Sequence, residues 1–275
     1  MTERVLLAGC GDLGQRVAER LLARGDEVWA LRRHPPGDEG RGIHWLAGDL
    51  TQPATLRDLP LGITQLVYSP TPDARDETAY RAVFGDGLRH LMEAAHGDAL
   101  KRVLFVSSSA VYGEHGDAWV DEDTPTDPPG FNGRVLLDAE RWLHEQTVPS
   151  TSLRLAGLYG PGRLQLIDRL RAGLAHAPRT TPHWSNRIHI DDAASAIAYL
   201  LAQTKLQSLY IGVDDTPLPM HVLYDHLAML AGAPPPTEGP APAGIGSKRL
   251  SNARLRASGF KWHWPDARDG YAALL

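Results

Sequence analysis

The chain has 275 residues, is 43% hydrophobic and 22% charged, and carries a formal net charge of −5 at pH 7. That size supports one large domain, or a domain with a small appendage. The mild acidity, without a basic run, argues against a nucleic-acid surface. The single cysteine, Cys10, excludes an intramolecular disulfide. No apolar run reaches the roughly 18 residues of a membrane span, and no leader precedes the first apolar segment. The expectation is a cytoplasmic protein with no membrane partner. No Cys/His cluster, and no i,i+4 histidine pair beside a carboxylate, suggests a metal site.

Short apolar runs alternate with helical stripes. Val5–Gly9 reads as a strand, and Leu13, Val17, Leu21 and Leu22 as the stripe of the next helix. Glu27–Leu31, Ile43–Leu50 and Thr64–Ser69 read as further strands. Tyr80 to Ala95 has the spacing of a long helix, and Arg102–Ser109 is a fifth strand. An amphipathic helix with Val135, Leu136, Ala139, Trp142 and Leu143 on one side follows, with Asp138, Glu140 and Arg141 off that stripe. Thr151–Gly157 is the next strand. This alternation predicts an α/β fold, a doubly wound parallel sheet with helices on both faces.

After Gly157 the pattern loosens. A helix is expected over Leu164–Leu174, and another over His189–Leu201 with Asp191 or Asp192 as its N-cap. Ser208–Val213 reads as a short strand. Ala231–Gly246 is too rich in proline and glycine for regular structure, and reads as a lid or spacer. Asn252 and Gly259 bracket a short helix.

Gly9, Gly11 and Gly14 form G-x-G-x-x-G between a strand and an amphipathic helix. In that context Gly9 permits the tight turn, Gly11 lets backbone approach a pyrophosphate, and Gly14 allows close helix–strand packing. Asp12 and Leu13 open the helix, whose N-terminus faces the anion. The second strand ends in Leu31, Arg32 and Arg33. An acidic residue there suits a ribose 2′-hydroxyl, whereas arginine suits a 2′-phosphate. NADP is therefore the expected cofactor, with NAD the alternative. Asp49, beside Leu50, is a candidate acceptor for the adenine amino group, or a turn-forming aspartate. Cys10 reads as a small packed residue.

These features resemble the short-chain dehydrogenase/reductase superfamily, and within it the extended NAD-dependent epimerase/dehydratase group. Gly48–Thr51, Val106–Gly113, Val120–Pro125, Leu153–Arg163 and Arg187–Ile197 are similar to that group's blocks, in the same order. The glycine spacing, the short length and the segment Ser247–Phe260 resemble an atypical, YeeZ-like branch. The resemblance implies a Rossmann core over residues 1–156, and small substrate-side segments over 157–275 with 187–213 returning to the core. It places Tyr68, Ser69, Leu155 and Ala156 along the dinucleotide. It assigns Ser108 to polarising a substrate oxygen, and implies a possible homodimer.

The same resemblance implies a tyrosine and, four residues later, a lysine on the helix after the fifth strand. They act as proton donor and ribose ligand. This chain reads Asn132-Gly133-Arg134-Val135-Leu136-Leu137 there. The glycine and arginine match, and the tyrosine and lysine do not. Lys101, Lys205, Lys248 and Lys261 are the only lysines, and none has a tyrosine four residues before it. Asparagine exchanges no proton near neutral pH. Tyr112, Tyr159, Asp121, Glu122, Asp123 and His115 are weak substitutes, better read as structural or solvated. His189 reads as a packed histidine, and His183 and Trp184 as pocket-lining or edge-covering residues. The expectation is an NADP(H)-dependent oxidoreductase or epimerase-like enzyme acting on an unknown small molecule. The alternative is a non-catalytic dinucleotide sensor. A flavin reading does not fit the later blocks.

Overall fold

The structure is a computed structural model, which describes residues 2–37, 42–95 and 99–275. Its central sheet has seven strands in the order Leu209–Gly212, Ser150–Leu155, Arg102–Ser108, Gln65–Tyr68, Arg4–Ala8, Glu27–Arg32, Ile43–Ala47. The sheet is parallel. Counted along the chain the order is 3-2-1-4-5-6-7, the doubly wound pattern, which reverses direction between the first and fourth strands. Ala8 pairs with Leu31 on one side and with Tyr68 on the other, so both neighbours end level with the first strand. Val5, Leu6, Leu7 and Ala8 are fully buried, as a run covered on both faces requires.

The helix Asp12–Arg24 starts directly after the first strand and stops at Gly25, whose φ of 89° supplies the left-handed cap. The predicted long helix runs as Glu77–Tyr80, Arg81–Gly87 and Leu88–Ala94, with the middle part widened to a π-helix. The buried Tyr68 donates its hydroxyl to the Val83 carbonyl, 2.6 Å away, inside the widened part. No helix among the described residues is long and apolar enough to cross a membrane.

The chain divides into two compact units. The first comprises Met1–Ser108, Phe131–Leu153 and Ala194–Leu209; the second comprises Ser109–Gly130, Arg154–Ala193 and Tyr210–Leu275. The second has its own core, in which Tyr159, Ile167, Leu170, Leu223, Leu227 and Tyr271 are buried together. Tyr159 and Tyr271 stack with ring centroids 4.2 Å apart.

Four departures from the sequence expectations stand out. A helix over Met220–Leu230, not anticipated, supplies much of that core through Met220, Leu223, Tyr224, Leu227 and Ala228. Thr237–Glu238, inside the proline-rich segment, pairs with His176–Ala177 as a two-residue strand. Neither Asp191 nor Asp192 caps from outside the helix, which spans Ile190–Ala202 and contains both in its first turn. Asp192 instead accepts from the amides of His263 and Trp264, each at 2.8 Å, a tertiary partner not readable from local spacing. Asn252 stands at the expected start of the helix Ala253–Ala257, but its side chain donates to the carbonyls of Val213 and Asp214 instead of capping.

Beside the second core, Asp214 is 2% exposed and its Oδ2 has no hydrogen-bond partner. Burial, reinforced by Asp266 and Asp215, pushes its carboxyl up to about 8. An acid whose folded pKa is raised stabilises the fold below its unfolded pKa of about 4, and this contribution is lost as pH rises towards the folded value, by about 1.4 kcal/mol per pH unit. Asp214→Asn keeps the oxygen that accepts from the Thr216 amide. Denaturant melts should show the variant gaining on the parent from pH 5 to pH 8; a constant difference would mean that Asp214 is ionised in the fold.

Candidate functional site

The carboxyl ends of the first and fourth strands meet where the strand order reverses, the place at which open α/β sheets bind ligands. Ser69 N donates to Ala8 O at 2.9 Å, and Gly9 N to Leu31 O at 3.1 Å, which ties the three strand ends together. Gly9 has φ of 87°, and a Cβ there would lie 2.3 Å from Pro70 Cα. Only glycine fits on both counts. A Cβ on Gly14 would press on Cys10 Sγ at 3.2 Å and Gly9 O at 3.3 Å, so helix and turn pack at backbone distance. A Cβ on Gly11 would meet nothing within 4 Å. The three glycines thus divide into two that the fold needs and one facing open space. Gly11 N–H is held by Gly9 O at 2.9 Å, and Gly11 O accepts from Gln15, starting the helix. The helix N-terminus presents partial positive charge to that space. Asp12 is exposed there and pairs with Arg16 at 3.0 Å, while Leu13 is half-buried. Burial pushes the Cys10 thiol up to about 12, so it stays a neutral packing residue.

Arg32 closes the second strand half-buried, and Arg33 follows it exposed. Arg33 makes a two-pronged ion pair with Asp73. That hydrogen bond holds the Asp73 carboxyl below its ordinary range. The two arginines are therefore not equivalent, because Arg33 already has a carboxylate in its fork. Asp49 takes the turn-forming role: its Oδ1 accepts from the Thr51 amide at 2.9 Å and hydroxyl at 2.8 Å. Leu50 is buried beside it, and its carbonyl bonds His90 Nδ1 at 2.9 Å. With its hydroxyl committed to Val83, Tyr68 has only main chain to offer a ligand. Ser69 is half-buried, its hydroxyl 3.5 Å from Gly9 O.

Ser108 is the last residue of the strand Arg102–Ser108 and is half-buried. Its neighbour Ser107, on the opposite face, is buried with Oγ unpartnered. Leu155 and Ala156 belong to the second unit; both are buried, and Ala156 N donates to Gly212 O at 2.9 Å.

The helix Phe131–His144 has Asn132 half-buried in its first turn and Leu136 buried one turn later. The buried stripe includes Glu140, contrary to the expectation that it lies off the packed face. The substitutes for a proton donor are either buried or engaged in structural contacts. Tyr112 is fully buried; its hydroxyl donates to Asp121 O at 2.8 Å and accepts from Arg154 Nη1 at 2.7 Å. Tyr159 is fully buried in the second core. Asp121 closes a turn with Thr124 at 2.8 Å, and Asp123 pairs with Arg254 at 2.8 Å. Glu122 accepts from Ile211 N at 2.9 Å, with burial raising its pKa. His115 N donates to Ser247 O at 2.8 Å and its Nε2 is buried without a partner. His189 is buried and accepts from Asp191 N at 3.2 Å; His183 is buried too, and Trp184 Nε1 donates to Asp117 at 2.7 Å.

One group escaped the sequence reading. Lys248 is buried, unlike the exposed Lys101, Lys205 and Lys261, and its Nζ donates to Gly246 O at 2.9 Å and Tyr112 O at 3.1 Å. Burial pulls it down to about 8. The segment Ser247–Phe260 carries the signal, but nothing local marks its lysine as an inward one.

The profile of the NAD dependent epimerase/dehydratase family matches residues 5–212. Protein YeeZ of Escherichia coli is 30% identical over 96% of this chain and 97% of its own length. The 3-diazoavenalumate denitrifying reductase of a Streptomyces species is 29% identical over 97% of this chain and 98% of its own. A solved structure from Methylobacillus flagellatus, assigned to the NAD-dependent epimerases/dehydratases, is 41% identical with a TM-score of 0.85, covering 100% of this chain and 98% of that one. With a parallel sheet, a glycine turn at its switch point and these relatives along its whole length, the chain belongs to the NAD dependent epimerase/dehydratase family of extended short-chain oxidoreductases.

Proposed function

We propose that this protein is an NADPH-dependent reductase in which Ser108 polarises the acceptor and water supplies the proton that a tyrosine supplies in other family members. One observation carries the reading: an intact glycine turn and a terminal Arg32 coexist with Asn132 and Leu136 where the family's tyrosine and lysine belong. The dinucleotide, when bound, supplies the hydride. Gly11 and the helix N-terminus lie against its pyrophosphate. Arg32 meets the 2′-phosphate, and the main chain of Tyr68 and Ser69 flanks its path. Asp12, Leu13, Asp49 and Leu50 complete the cofactor contacts within the first unit. A relative along the full length that is named a reductase supports the direction of the reaction. A general acid typically contributes about 10²–10⁴-fold, so its loss slows a well-oriented reduction without abolishing it.

The cofactor half makes a charge prediction. Arg32→Ala should weaken NADPH by about tenfold, the scale of one charge-assisted hydrogen bond, and leave NADH unchanged. Asp73→Asn releases the Arg33 fork and should tighten NADPH alone. Calorimetry on both variants checks this, and equal response of the two cofactors would refute the 2′-phosphate assignment.

The chemical half rests on Ser108. Ser108→Ala should lower single-turnover hydride transfer by about 10²–10³-fold, the usual effect of one oxyanion donor, without moving dinucleotide affinity. NADPH oxidation across a carbonyl and sugar-nucleotide panel is the assay. A parent protein that binds NADPH tightly yet oxidises it with nothing would favour the sensor reading.

A further inference from the structure

We infer that Arg249, whose guanidinium lies over the rings of Trp184 and Trp119 in the second unit, is the receptor for the carboxylate of a planar small-molecule acid. This site lies outside the dinucleotide assignment and stands whether or not hydride is transferred.

The backbone around Arg249 is fixed from both sides. The strand Arg249–Leu250 pairs in parallel with Trp119–Val120. Arg249 N donates to Ala118 O at 3.1 Å, and Ser251 N to Val120 O at 2.8 Å. Asn186 spans the residue, donating to Lys248 O and accepting from Leu250 N, both at 2.9 Å. Trp184 N donates to Ser247 Oγ at 3.2 Å.

The side chain is treated in the opposite way. Its guanidinium lies 4.0 Å from the Trp184 ring centroid and 5.9 Å from that of Trp119. No described residue gives it a hydrogen bond or an ion pair, and its Nε is buried and unpartnered. Cation–π attraction compensates the charge in part, but the fork of N–H donors remains unused. A half-buried guanidinium stacked on indoles, with its donors unspent, is preorganised for the two oxygens of a carboxylate. Trp119 is 58% exposed, an indole face beside the charge on which a planar group can stack.

The charge balance favours a monoanion. Lys248, the adjacent cation, is turned inward onto the carbonyls of Tyr112 and Gly246. Asp117 sits on the Nε1 of Trp184. A pyrophosphate would therefore meet one cation, with Asp117 on the same indole and Glu114 on the neighbouring Ser247 amide, whereas a single carboxylate matches the Arg249 guanidinium.

The test is calorimetric titration of the full chain, saturated first with NAD⁺ or NADP⁺ so that the glycine turn is occupied. The probes are benzoate, its neutral counterpart benzamide, and inorganic pyrophosphate. Benzoate should bind saturably, benzamide should not, and pyrophosphate should bind more weakly than benzoate. Arg249→Gln should lose benzoate by about tenfold or more while binding dinucleotide as the parent does, with Arg249→Lys in between because it keeps charge without the fork. Trp119→Ala should weaken benzoate with Arg249 intact, which tests the site even where Arg249→Gln fails to fold. Parent-like benzoate affinity in Arg249→Gln, or no benzoate binding to the parent, overturns the inference. Tighter binding of pyrophosphate than of benzoate overturns the assigned ligand class.

Discussion

The constraint on which the first unit depends is the approach of the Gly9 backbone to Pro70. Two strand ends meet there at a separation that admits no side chain: a Cβ would sit 2.3 Å from Pro70 Cα. The turn is left-handed at Gly9 for the same reason that it is tight. It sends the chain straight into the helix Asp12–Arg24, whose N-terminus must otherwise leave its first amides unbonded. Gly14 then keeps that helix against the turn, next to a cysteine that burial holds neutral. Strand order, glycine turn and amide-lined opening are one arrangement seen at three scales.

The glycine turn and the helix Phe131–His144 are separate elements with separate packing. The helix Phe131–His144 retains its packed stripe, its buried Gly133 and its exposed Arg134, so its contribution to stability is undiminished. The positions at which the family resemblance expects a tyrosine and a lysine hold the half-buried Asn132 and the buried Leu136. Among the candidate substitutes, Tyr112 donates its hydroxyl to the Asp121 carbonyl, a contact within the second unit. Under the proposed function, binding and proton transfer are separable, because they rest on different segments with different packing demands.

Most of the sheet was legible because parallel strands buried on both faces read as unbroken apolar runs, and because glycine marks its own backbone requirements. Gly9, Gly11 and Gly14 each had a stated reason, and Gly9 and Gly14 meet the crowding that those reasons require. What stayed hidden depends on distant partners. Asp192 looked like a cap and instead binds amides more than seventy residues away. Arg33 looked equivalent to Arg32 until Asp73 claimed it. Lys248 and Arg249 are neighbours in an unremarkable segment, yet one turns inward and the other lies over two indole rings. The helix Met220–Leu230 is different, since its i, i+3, i+4, i+7 stripe was present in the sequence and carried no glycine or capping signal at its start.

Gly11 offers the most direct test of the central claim, that an intact dinucleotide site survives in this chain. A Cβ there meets nothing within 4 Å, so added bulk points into open space where a ligand would approach. The measurement is the melting temperature and the calorimetric dinucleotide affinity of Gly11→Val beside the parent. The account predicts an unchanged melting temperature and an affinity lowered by about a hundredfold or more, as expected when backbone can no longer approach the pyrophosphate. Parent-like dinucleotide affinity in a folded Gly11→Val protein would contradict it.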